Sequence, residues 1–150
     1  MQLDAPASRV VAVDYGTKRV GLAIADPLRL FARPVGAFSQ AAAVEEIEAI
    51  HADQGVDVIV VGWPLTPDGT TDAATERVQQ YINRLQNALP GVRIVKRDER
   101  YTSEMAKDAI RRVAPSSGDK GRVDAAAAAL ILQDYLDASS GGTAPEGESG

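Results

Sequence analysis

The chain has 150 residues, a formal net charge of −5 and no cysteine. That is one domain's length, and it excludes disulfides, cysteine-bound zinc, iron–sulfur clusters and thiol nucleophiles. A single histidine, His51, speaks against a multi-histidine metal site, and no apolar run reaches the roughly 20 residues of a membrane span.

Residues 1–8 are polar, contain Pro6 and carry no basic, apolar leader, so they read as a loose lead-in to a soluble, cytoplasmic protein. RVVAVDY (9–15) is apolar and β-branched and predicts a buried strand. Residues 16–18 turn the chain, and 19–26 predict a second strand, antiparallel to the first and stopped by Pro27. A weaker third strand fits 34–38. Residues 41–53 place Val44, Ile47 and Ile50 on one face of an amphipathic helix that ends at Gly55. The continuous apolar run 56–62 predicts a central strand in a parallel arrangement.

Residues 63–70, with two prolines and an Asp-Gly pair, form a loop. Residues 71–89 predict a helix with Val78, Ile82, Leu85 and Leu89 on one side, closed by Pro90-Gly91. Residues 92–99 predict another strand. Thr102 or Ser103 then caps a helix reaching Val113, and 115–121 form a flexible loop. Residues 123–136 predict an alanine-rich helix, and 138–150 a low-complexity, disordered tail. A hairpin followed by alternating helices and strands gives one mixed-sheet α/β domain over 9–137.

The acidic total argues against a nucleic-acid partner, but the charge is unevenly spread. Residues 93–122 hold nine basic and five acidic side chains, a local balance of +4, whereas the other 120 residues balance at −9. Such a segment suits either a solvated helix face of paired charges or a surface that follows a phosphate backbone.

Three acids stand at ends of predicted elements. Asp14 closes the first strand, Glu99 closes the last with Asp98 beside it, and Asp124 opens the last helix. Open α/β sheets bind ligands outside the carboxyl ends of their strands. Parallel first and last strands would set Asp14 and Glu99 on one edge, and a helix packed back over it would present Asp124. Converging carboxylates repel unless a cation neutralises them, and oxygen donors without His or Cys suit Mg²⁺ or Mn²⁺. Two such ions about 3.5–4 Å apart can cut a phosphodiester. Each acid also has a local use: Asp14 in the turn, Asp124 at a helix N-terminus, Glu99 paired with Arg97 or Arg100. Alternation sets Val95 and Glu99 on one strand face and Ile94 and Asp98 on the other. Both faces carry an apolar residue, so parity leaves the choice of acid open.

The stretch VAVDYGTKRVGLAIAD (11–26) resembles the N-terminal signature of the YqgF family, described as candidate pre-16S rRNA nucleases and candidate Holliday-junction resolvases. VVGWPLTPDGT (60–70), DERYTS (98–103) and VDAAAAALILQDYL (123–136) follow in family order, so the resemblance covers about residues 9–137. It implies an RNase H-like fold: a mixed sheet with an N-terminal antiparallel hairpin and helices on both faces. It also implies catalytic, metal-binding roles for Asp14, Glu99 and Asp124, with Asp14 bridging two ions. Trp63 and Tyr101 depart from the family pattern, and no fourth acid is assigned.

The implied activity is a Mg²⁺- or Mn²⁺-dependent endonuclease, acting on the 5′ end of pre-16S rRNA or on a four-way DNA junction. Candidate nucleic-acid contacts are Gly16, Lys18, Arg19, Arg100, Thr102 and Ser103. Gly16 equally suits the turn, and Thr102 and Ser103 equally suit helix caps. Trp63 and Tyr101 suit either base stacking or burial. His51 reads as a solvent-facing bystander. A monomer or a homodimer fits, and junction resolution requires the dimer. Two other classes compete: a non-catalytic RNA-binding assembly protein, which would gain nothing from acids facing phosphates, and a phosphotransferase, for which one lobe is too small.

Overall fold

The computed structural model describes residues 8–64, 68–98 and 120–139. Among these, β1 (Arg9–Asp14), β2 (Val20–Ala25), β3 (Ala32–Phe38), β4 (Val56–Trp63) and β5 (Arg93–Asp98) form one sheet in the order β3-β2-β1-β4-β5. β1 and β2 pair antiparallel, as do β2 and β3. β4 runs parallel to β1, and β5 parallel to β4. The helices are α1 (Gln40–Gln54), α2 (Ala73–Ala88) and α3 (Lys120–Ser139). This is the expected mixed sheet opened by a hairpin.

Side-chain alternation divides the sheet into two cores. Val11 and Val13 of β1, with Val20, Leu22 and Ile24 of β2, pack under α1 and α2, which contribute Val44, Ile47, Val78, Ile82 and Leu85. The other face is built from smaller residues: Ala12, Ala23 and Ala25 meet Ala128, Ile131, Leu132 and Leu136 of α3. Alanines on the strands, with Ala125 and Ala128 toward the start of α3, let that part of the helix lie close to the sheet, and that closeness positions the site.

Local chemistry sets the element ends. The Ser39 hydroxyl accepts from the Ala42 N–H at the start of α1. Asp72 and Thr75 form a reciprocal capping box on α2. His51 is exposed, as expected, but its Nδ1 accepts the Val56 N–H at 2.9 Å, tying the end of α1 to the start of β4. β3 begins two residues before the expected 34–38 and contains Pro34. An edge strand accommodates proline because half its amides face away from the sheet. α3 extends three residues beyond the expected 123–136 at each end, so Asp124, expected to open the helix, is its fifth residue, and the helix runs into the first residues assigned to the tail. The helix expected over 103–113 lies outside the described residues.

Candidate functional site

Asp14 is the last residue of β1 and is half-buried. Its parity is that of Val10 and Ala12, so it belongs to the sheet face covered by α3. Across the hairpin ladder it is paired with Gly21 of β2. A Cβ built on Gly21 would lie 2.1 Å from the carbonyl oxygen of Asp124 and 2.5 Å from its carbonyl carbon. The start of α3 therefore crosses β2 where the strand has no side chain. Paired antiparallel residues have Cα atoms about 5 Å apart, so Asp14 and Asp124 spring from neighbouring backbone.

Asp124 has a cationic partner. Its Oδ2 accepts from Arg19 Nε at 2.9 Å, with the two side chains 30% and 38% exposed respectively. Arg19 directly precedes β2, at the end of a turn held tight by Gly16: a Cβ there would meet the Arg19 carbonyl oxygen at 2.5 Å. The turn is anchored from the opposite side of the sheet. Gln40 Nε2 donates to the Tyr15 hydroxyl at 3.0 Å and to the Thr17 carbonyl at 3.2 Å. The Tyr81 hydroxyl donates to the Gln40 carbonyl at 2.8 Å, and its ring tilts against Tyr15 with centroids 5.2 Å apart. Burial pushes the Tyr81 hydroxyl up to about 12.

The parallel order puts the carboxyl ends of β1, β4 and β5 on one edge. Val95 of β5 enters the core beneath α3, and Ile94 packs against the other. Arg97 shares Val95's parity and donates from Nε to Asp134 of α3 at 2.8 Å. Asp98 shares Ile94's parity, on the face away from α3 and Asp14. The sheet therefore lies between Asp98 and the face that carries Asp14.

Of the expected site residues, the structure brings Asp14, Arg19 and Asp124 together. Lys18 is exposed on the adjoining turn. Glu99, Arg100, Thr102 and Ser103 lie outside the described residues, as does Tyr101. Among the described residues no three Asp, Glu or His side chains gather as a metal set, and the third expected acid is not one of them. Trp63 packs against the core under α1 and α2, with Lys96 Nζ 4.1 Å from its ring centroid. Three positioning residues escape the sequence reading: Gly21, Gln40 and Tyr81. Gly21 alone leaves a local trace, as a glycine inside an apolar strand marks close backbone approach.

The family model described as "RuvX: Holliday junction resolvase" matches residues 8–138. A "Putative pre-16S rRNA nuclease" of Salinibacter ruber is 53% identical over 132 residues, covering 86% of this chain and 92% of that protein. A protein of the same name from Chlorobium luteolum is 39% identical over 143 residues, 91% of this chain and 99% of its own. Among solved structures, T. thermophilus RuvC in complex with a Holliday junction substrate gives a TM-score of 0.56 at 15% identity, covering 93% of this chain and 99% of that one. This last likeness is one of fold, the RNase H-like mixed sheet with helices on both sides. The chain belongs to the RuvX family, and is a phosphodiester-cleaving hydrolase built on the RNase H-like fold.

Proposed function

We propose that this chain is a divalent-cation-dependent endonuclease that processes the 5′ end of pre-16S rRNA in the cytoplasm. One observation carries the reading: α3 sets Asp124 beside Asp14 at the carboxyl edge of the parallel strands. The donor set fits a hard cation. The chain has no cysteine, and its one histidine closes α1 on the other face of the sheet. The Arg19 guanidinium against Asp124 is itself a cation seated at this carboxylate. Asp14 and Asp124, with Glu99 as the resemblance implies, would hold Mg²⁺ or Mn²⁺. A bound ion supplies the Lewis acidity that generates hydroxide from water and stabilises a leaving oxygen.

Hydrolysis adds one water across the phosphodiester. The water oxygen bonds to phosphorus, the P–O3′ bond breaks, and the products are a 3′-hydroxyl and a 5′-phosphate. Lys18 and Arg100 suit the flanking phosphates, Gly16 allows their close approach to backbone, and Thr102 and Ser103 suit substrate hydrogen bonds. The names of the relatives support RNA as substrate. The family description supports a second reading, resolution of four-way DNA junctions, which requires two symmetric cuts and a two-fold dimer.

A cleavage assay on a precursor rRNA fragment and a synthetic four-way junction, each with Mg²⁺, Mn²⁺ or EDTA, separates these readings. Cutting of the precursor alone, abolished by EDTA, is the expected result. Cutting of the junction alone, by a dimer, selects the second reading. Undiminished cutting in EDTA removes the metal from both.

A further inference from the structure

Among the described residues, two ion pairs tie α3 to a sheet strand or the turn before one, and they are close geometric twins. Arg19 Nε meets Asp124 Oδ2 at 2.9 Å, and Arg97 Nε meets Asp134 Oδ2 at 2.8 Å. Side-chain exposures are 38% and 30% in the first pair and 30% and 50% in the second. Half-exposed pairs of this kind contribute little to stability. Their surroundings differ. Asp134 sits on the exposed side of α3 well along the helix, whereas Asp124 lies over Gly21, the ladder partner of Asp14.

The backbone fixes Arg19 in place. Gly16 allows the turn to close on the Arg19 carbonyl, and Gln40 ties the same turn to α1 and, through its own carbonyl, to Tyr81. An arginine on so constrained a turn, aimed across β2 at one carboxylate of the proposed site, neutralises that carboxylate without any ion. From this geometry we infer that Arg19 is the built-in counter-ion of the metal-free site: it holds Asp124 in position and is displaced from it when a divalent cation binds. Arg19 is then a positioning residue that sets metal affinity, beyond the phosphate contact expected for it. The inference rests on the proposed metal-dependent reading, and its test keeps the two apart.

The logic is competition. A guanidinium seated on Asp124 Oδ2 occupies acceptor sites that an ion would otherwise use, and its positive charge repels that ion. Removing the guanidinium removes both penalties. The size of effect carried by a half-exposed pair corresponds to about a two- to fivefold change in affinity.

The test is calorimetric titration of MnCl₂ into the full-length protein without nucleic acid. The proteins are the wild type, Arg19→Gln, Arg19→Lys, Arg97→Gln and Asp124→Asn, each checked for an unchanged thermal midpoint in EDTA. The expected result is binding by the wild type that Asp124→Asn weakens strongly. Arg19→Gln should bind about two- to fivefold more tightly, Arg19→Lys in between, and Arg97→Gln as the wild type. Wild-type binding lost in Asp124→Asn but unchanged or weakened in Arg19→Gln overturns the inference and leaves the metal reading standing. Equal tightening by Arg97→Gln also overturns it, since that is a general charge effect. No binding by any of the proteins overturns the metal reading and the inference together. Should Arg19→Gln melt lower than the wild type, the Mn²⁺-induced rise in its midpoint, larger than the wild type's, reports the same competition.

Discussion

Replacing Gly21 by alanine separates the close helix crossing from everything else that holds the fold. The added Cβ would lie 2.1 Å from the Asp124 carbonyl oxygen, 2.5 Å from its carbonyl carbon and 3.2 Å from the Ala125 nitrogen, where ordinary contact begins near 3.4 Å. All three obstacles are backbone, so no side chain can swing aside. The start of α3 must withdraw by about 1 Å or more, or β2 must buckle. Overpacking of this kind costs about 1–3 kcal/mol. The functional cost is larger in proportion, because a displacement of about 1 Å at a reacting centre can lower the rate about a hundredfold. Urea unfolding reads the first quantity, as a lower midpoint at unchanged slope. Phosphodiester cleavage by the still-folded protein reads the second. Ala23→Gly is the matched control: it lies two residues along the same face, is fully buried, and removes a methyl group without touching the start of α3. The control should lose about 1 kcal/mol and keep its activity. If Gly21→Ala matches the wild type in both midpoint and rate, the close crossing does not set the site.

Two further outcomes follow from the supports of the site. Tyr81 is protonated in the fold, with its hydroxyl raised from 10.0 to about 12 by burial, so its contribution to stability is complete below pH 10. That contribution is lost as pH rises from 10 toward 12, by at most about 3 kcal/mol, and urea midpoints across this range should fall in the wild type but much less in Tyr81→Phe. Asp72→Ala removes the acceptor for the Ala74 and Thr75 amides at the start of α2 and should cost about 1 kcal/mol in urea unfolding, with cleavage unchanged.

Much of this arrangement is written locally. The apolar run ending in Asp14, the turn after it and the continuous strand 56–62 each dictate their own conformation, so the hairpin and the parallel centre of the sheet are legible residue by residue. Asp14 is legible as an acid at a strand end for the same reason, whereas Asp124, expected to open the last helix, lies a full turn inside it. What escapes depends on contacts between distant segments. The parity of Asp98 acquires meaning only once α3 is known to cover the Val95 face. Arg19 and Asp124 are 105 residues apart, and nothing near either one announces the pair. Gln40 falls just before the helix expected over 41–53, yet it opens α1 and its side chain reaches back to Tyr15 and Thr17. His51 reads as idle because an exposed helical histidine gives no sign that a following strand will offer it an amide.

The most direct test of the central claim is the cleavage rate of Asp14→Asn and Asp124→Asn with saturating Mg²⁺ or Mn²⁺ on whichever substrate the wild type cuts. Asparagine preserves shape and removes the charge that holds a cation, so both variants should retain the wild-type melting transition and lose about a hundredfold or more in rate. A folded Asp14→Asn protein that cuts at the wild-type rate would contradict the claim that these two carboxylates form the catalytic site.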